Sequence, residues 1–125
     1  MIKVERAPSF HASMDTIAEF MLDQDLDSAP SRLAALQSEI DNFARLVAVR
    51  PGIAKRYVPP VPRDEETRGK NEKIASLLDV FKVDYIRERV MRHHTLLYVH
   101  SETRIIFVSV KHQRQATYSL SSAEG

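Results

Sequence analysis

The chain has 125 residues, 43% of them hydrophobic, enough for one core and a single domain expected over residues 1–120. No stretch approaches the roughly 20 apolar residues that span a bilayer, the N-terminus lacks a signal peptide's apolar segment, and the lack of cysteine excludes disulfides, thiolate nucleophiles and cysteine-ligated metals; a cytoplasmic location is expected. The net charge of +1 conceals a split, four Lys/Arg against eight Asp/Glu in residues 1–49 and fourteen against nine in residues 50–125, which points either to an anionic partner for the second half or to basic residues solvating a sheet face.

Ile2 and Val4 alternate with Lys3 and Glu5 before Pro8 stops pairing, which predicts a short strand over residues 2–7. Phe10, Met14, Ile17 and Met21 then recur at helical spacing, with Phe20 widening the stripe, Ser9 placed to cap the start and the polar run 23–27 to end it. The second helix is the clearest element. Asp27 or Ser28 caps it, Pro30 suits the first turn because its missing N–H costs nothing there, and Leu33, Leu36, Ile40, Phe43 and Val47 follow a three-four spacing up to a Pro51-Gly52 stop. Joined by a short turn, the two helices form a hairpin that has to bury its stripe on a sheet. Residues 53–70, with Pro59, Pro60, Pro62 and the polar Arg63-Asp64-Glu65-Glu66, read as a long loop. An optional third helix starts from an Asn71 cap and aligns Ile74, Leu77, Leu78 and Phe81.

The remaining pattern is β. Residues 85–91 and 95–99 make two strands, His100-Ser101-Glu102-Thr103 a hairpin turn, and residues 104–111 the strongest strand. The unbroken apolarity of Ile105-Ile106-Phe107-Val108 suits a central strand covered on both faces, or at least heavily buried. The chain after Tyr118 is expected to fray, with residues 121–125 a disordered tail. The order β-α-α-(α)-β-β-β defines an α+β fold: a helical hairpin packed on one face of a small, mostly antiparallel sheet, whose other face, or one end of it, is partly open and basic.

The stretches Ile86-Arg87-Glu88-Arg89-Val90, His94-Thr95-Leu96-Leu97-Tyr98-Val99 and Arg104 through Gln115 together resemble the end of toxins of the RelE/ParE superfamily. In those proteins a strand with an Arg-Glu pair leads to one containing Leu-Tyr, and a last strand closes on a His-x-Arg tail, here Lys111-His112-Gln113-Arg114. Ala34, Leu36, Ile40, Phe43 and the Pro51-Gly52 exit are similar to the family's second helix. Family members are usually shorter, and residues 58–83 read as an insertion where these toxins often carry a tight basic loop. The resemblance implies a type II toxin of a plasmid-stabilisation system. Its antitoxin would be partly disordered and fold over the helix hairpin or the sheet edge as a hetero-oligomer.

The resemblance implies one of two activities. ParE-like members are linked to inhibition of DNA gyrase and need no nuclease centre; RelE-like members are similar to ribonucleases acting on messenger RNA in the ribosome. The Lys111-His112-Gln113-Arg114 ending is more similar to the ParE-like branch, so growth arrest through gyrase is expected first. A ribosome-dependent endoribonuclease comes second and a non-catalytic nucleic-acid-binding module third, which leaves open whether the chain is an enzyme. A metal-independent ribonuclease has to deprotonate a 2′-hydroxyl, stabilise a phosphorane and protonate a leaving oxygen, which requires a base, cations and an acid. Arg89, His94, His112 and Arg114 are the catalytic candidates, and Arg87, Arg92, Lys111, Tyr98, Lys55 and Arg56 the binding candidates, with His93 and Tyr118 behind them. On a regular strand Arg87 and Arg89 share a face, as do His94 and Tyr98. Each also has an ordinary role: Arg87 and Arg89 as exposed strand arginines, Tyr98 as core, His93 and His94 as surface residues pointing to opposite sides, and the tail as part of the fold or of the antitoxin contact. No His-x-x-x-His, ligand-spaced carboxylate cluster or Gly-rich phosphate loop occurs, so no metal site and no cofactor are expected.

Overall fold

Two amphipathic helices and one strongly apolar strand set the architecture of the computed structural model, which describes residues 1–120. In chain order the elements are β1 (Val4–Arg6), α1 (Pro8–Gln24), α2 (Ala29–Val49), β2 (Lys55–Arg56), α3 (Glu65–Ala75), α4 (Leu77–Phe81), β3 (Tyr85–Val90), β4 (His94–His100) and β5 (Ile105–His112). The fold is α+β. The five strands form one sheet in the order β1-β5-β4-β3-β2, with β1 parallel to β5 and every other pair antiparallel.

The helical hairpin lies on one face of the sheet. Phe10, Ile17 and Met21 of α1 and Leu36, Ile40, Phe43 and Val47 of α2 meet Leu96, Tyr98, Ile105, Phe107 and Val110. Phe43 stacks on Phe107 with ring centroids 6.0 Å apart and takes Tyr98 edge-on at 5.5 Å. Each such side chain contributes about 1.5–3 kcal/mol by leaving water.

The opposite face, expected to be partly open and basic, is covered. Leu97, Val99, Ile106 and Val108 pack under Ile74, Leu77, Val83, Tyr118 and Leu120. Part of that cover is a helix that begins earlier than its apolar residues announce. Asp64, not Asn71, caps α3, its carboxylate accepting from the Thr67 N–H at 2.8 Å, and Glu65 and Glu66 favour the positive end of the helix dipole. Asn71 lies inside α3 and donates its amide to the Pro60 carbonyl at 2.8 Å, which fastens the proline-rich segment to the helix. The long loop of 53–70 therefore shrinks to 57–64, with Lys55 and Arg56 pairing to β3 on its near side. Leu120 is only 5% exposed, so the chain is still packed where fraying after Tyr118 was expected. The disordered tail expected at 121–125 lies outside the described residues.

β5 carries a bulge that decides which side chains face the hairpin. Leu97 pairs with Ser109 while Tyr98 pairs with Phe107, leaving Val108 as the extra residue. Alternation restarts beyond it, so Val110 and His112 join Ile105 and Phe107 on the helix side, and Lys111 turns to the other face over the Tyr118 ring. α1 supplies the partners that the bulge frees. Ser9, expected to cap the helix, instead donates its hydroxyl to the Val108 carbonyl, and Ser13 Oγ accepts from the Val110 N–H at 3.0 Å while donating to the Phe10 carbonyl at 2.8 Å. At the far end of β5, Arg104 grips both carboxylate oxygens of Glu5 at 2.9 and 3.0 Å and donates to the Phe81 carbonyl at 2.7 Å, tying β1 and α4 to the start of the strand.

Candidate functional site

The bulge sets His112 directly opposite His94, with ring centroids 5.2 Å apart and the rings edge to face. The N-terminal half of α2 runs over this pair and contributes Ser31, Arg32 and Glu39, while the turn before β4 contributes Arg92 and His93. Together they wall a cleft of about 350 Å³. A second cleft, of about 360 Å³, shares Arg32 and His112 and continues between Ile17 and Phe20 of α1 and Arg114.

Basic groups outnumber acidic ones in the first cleft, where Arg32, Arg92 and three histidines face Glu39 alone. Burial above all, then His112, His93 and Arg32, push the His94 pKa down to about 4, so the ring is neutral at neutral pH. His94 is 7% exposed, yet none of the hydrogen bonds among the described residues engages its ring nitrogens. Nor are those nitrogens shut off from solvent, for Ser109 Oγ is the sole sealed and unpartnered side-chain atom among the described residues. His112 is also shifted down, by burial first and then by Arg114, His93, Arg32 and Lys111. The Arg114 backbone N–H donates to His112 Nδ1 at 3.1 Å, a bond that places the proton of the neutral ring on Nε2. Arg32 reaches only the Gln24 amide oxygen, at 3.3 Å, and Glu39 accepts from the backbone N–H of Arg92 at 3.1 Å. Among the described residues, Arg32, Arg92 and Arg114 make no ion pair.

The structure divides the residues singled out from sequence. His94, His112 and Arg92 line the first cleft, and His112 and Arg114 the second. His93 and His94, expected on opposite sides of a strand, line the same cleft because His93 belongs to the turn preceding β4. Arg89 stands apart, its guanidinium 4.9 Å from the centre of the Phe43 ring. Arg87 belongs to the other end of the sheet, where its Nε–H donates to His100 Nε2 at 2.8 Å and its Nη1 to the Ala54 carbonyl at 2.9 Å. A Cβ at Gly52 would come within 3.3 Å of that guanidinium, so glycine there gives Arg87 room. Tyr85 stacks on His100 and takes Arg56 and Arg87 over its ring at 4.9 and 5.4 Å. Lys55 sits 3.7 Å from Glu88. Tyr98 is fully buried. Its hydroxyl donates to the Pro51 carbonyl at 2.7 Å and accepts from the Ala54 N–H at 3.4 Å, so the ring offers no surface to a base. Lys111 faces away from the cleft and donates to the Gln115 carbonyl at 3.0 Å. Tyr118 is buried on that same side, donating to the Glu88 carboxylate with Thr95 Oγ1 2.7 Å away; burial first, then Glu88, raise its pKa.

Sequence reading missed Arg32, Glu39 and Ser31, because the polar side of an amphipathic helix reads as solvated. The one trace was Arg32 as one of only four cations in the acidic first half. Among the described residues, no three His, Asp or Glu side chains are grouped to hold a metal ion, and no helix is long and apolar enough to cross a membrane. No family model matches the chain, and no curated protein matches it.

Proposed function

We propose that the chain is the toxin of a type II toxin–antitoxin pair, ParE-like in action, arresting bacterial growth through DNA gyrase in the cytoplasm. What supports this reading is the built end of β5. The Lys111-His112-Gln113-Arg114 segment that carries the resemblance is folded in place: the Gln113 amide donates to the Met91 carbonyl at 2.7 Å, and the His112 N–H to Gln115 Oε1 at 2.8 Å. A segment ordered in this way presents its backbone with little rearrangement, as most docking surfaces do. Several cations that a nuclease would array along RNA are spent elsewhere, Arg87 and Arg56 on Tyr85 and Lys111 on the far face. The antitoxin would fold over the helix hairpin, where Phe20, Leu22, Leu26, Leu46 and Val49 are exposed.

The runner-up, ribosome-dependent cleavage of messenger RNA, is favoured by one observation, the His94–His112 pair set among arginines. A single experiment separates the readings. Induction of the chain without its antitoxin in a bacterial host is expected to arrest growth, with double-strand DNA breaks accumulating and transcripts intact. Codon-positioned cleavage of translated messages would select the ribonuclease instead. Normal growth alongside abundant folded protein would reject both.

A further inference from the structure

We propose that the paired clefts at the end of β4 and β5 bind a phosphate monoester carried on an aromatic or heterocyclic group, a nucleoside monophosphate being the simplest case. This site shares His112, Arg114 and Phe20 with the surfaces of the toxin reading but does not need that reading, since binding and growth arrest are read separately. Its strongest mark is His94, which lines the first cleft, is more than nine-tenths buried, and has ring nitrogens that meet no protein partner among the described residues yet are not sealed from solvent. Those nitrogens are free to pair with a ligand that enters the cleft. Arg32 and Arg92 line the first cleft and Arg32 and Arg114 the second, none of them in an ion pair among the described residues, against a single acid, Glu39, whose carboxylate accepts from the Arg92 backbone N–H. Convergent cations repel one another, and a bound anion turns that repulsion into attraction.

The ligand class follows from the donors and from the adjoining wall. Arg32, one further arginine of either cleft and the His112 Nε2–H offer more donors than a carboxylate can accept, and they match the three oxygens and double charge of a phosphate monoester. Arg32 and His112 belong to both clefts, so a phosphate between them has its organic group beside Ile17, Phe20 and Arg114. Phe20 is 58% exposed there, a ring free to stack on a base. The charged and titratable groups around His112 are Arg32 and Glu39 of α2, Arg92, His93 and His94 before and within β4, and Arg114 beyond it, with Lys111 adjacent in the chain but turned to the other face. Cations outnumber the one acid, so a bound anion favours the imidazolium and raises the His112 pKa.

The test is a titration of the full chain with AMP, inorganic phosphate, adenosine and acetate, read from the ring signals of the histidines by NMR. AMP is expected to move His93, His94 and His112 and to raise the pKa of His112, with inorganic phosphate binding more weakly and adenosine and acetate leaving the rings unmoved. Arg32→Gln and Arg114→Gln are each expected to weaken AMP binding about tenfold, the loss of one charged hydrogen bond, at unchanged melting temperature. If Arg32→Gln does not fold, the exposed Arg114→Gln decides. Unmoved rings at roughly 10 mM AMP, adenosine binding as well as AMP, or undiminished affinity in Arg114→Gln would overturn the assignment. A 5′-phosphorylated RNA oligonucleotide distinguishes the sources: tighter binding than AMP places the phosphate on RNA, equal binding on free nucleotides, and either upholds the site.

Discussion

A buried imidazole makes the stability of this protein depend on pH. The His94 pKa of about 4 lies below the 6.5 of a free side chain, chiefly through burial. Above pH 6.5 the ring is neutral in both the folded and the unfolded chain and contributes nothing. Between 6.5 and 4 the unfolded chain binds a proton that the native state refuses, so stability falls with pH, and below 4 the loss stops growing. Its full extent is of order 3 kcal/mol. Urea denaturation followed from pH 7 to pH 4 is expected to show this decline, with His94→Gln flattening most of it. A slope identical in the two proteins would mean that His94 is better solvated than its surroundings indicate. His100 and His112 are shifted in the same direction, again by burial first, so some slope persists in the variant.

At the scale of elements, the one-residue bulge in β5 governs the candidate site. Without it His112 would turn toward α3 and Lys111 toward α1 and α2. Nothing in the sequence betrays it, because Ile105-Ile106-Phe107-Val108 is apolar at both parities and a shift of register leaves that pattern unchanged. Of the two α1 serines that hold it, Ser9 reads as a helix cap and Ser13 carries no signal of its own. Ser13→Ala leaves the Val110 N–H buried and unpaired, a loss of about 1–3 kcal/mol expected in urea denaturation, together with faster hydrogen exchange at the Val110 amide. A neutral result would show that strand pairing alone holds the bulge. α3 was partly legible, since Asp64-Glu65-Glu66 is a helix start in its own right. It was passed over because Ile74 is the only buried residue in the helix, and a polar helix shows no stripe.

At the scale of the molecule, the sheet is buried from both sides, and its second cover is assembled from α3, α4 and the chain around Tyr118 and Leu120. That cover closes the face which, whole or at one end, was expected to be open and basic, and several of the cations line the clefts at one end of the sheet. Leu120 closes its edge. Leu120→Ala is expected to cost about 2–4 kcal/mol in chemical or thermal denaturation. A change within about 0.5 kcal/mol would mean that the end of the chain rests on the sheet without supporting it.

The helical hairpin, the last three strands and the burial of β5 were determined by the sequence alone, because the spacing of apolar side chains at 3.6 or 2 residues is a local property that survives without knowledge of neighbours. Tyr98 as core and the grouping of His94 with His112 and Arg114 were within its reach. Only the tertiary structure decided that β1 lies parallel beside β5, that a polar helix roofs the second face, and that Arg32 faces the histidines across the cleft. These relations join residues far apart in the chain. They arise from how packed layers and a bulged register bring surfaces together, and no periodicity encodes them.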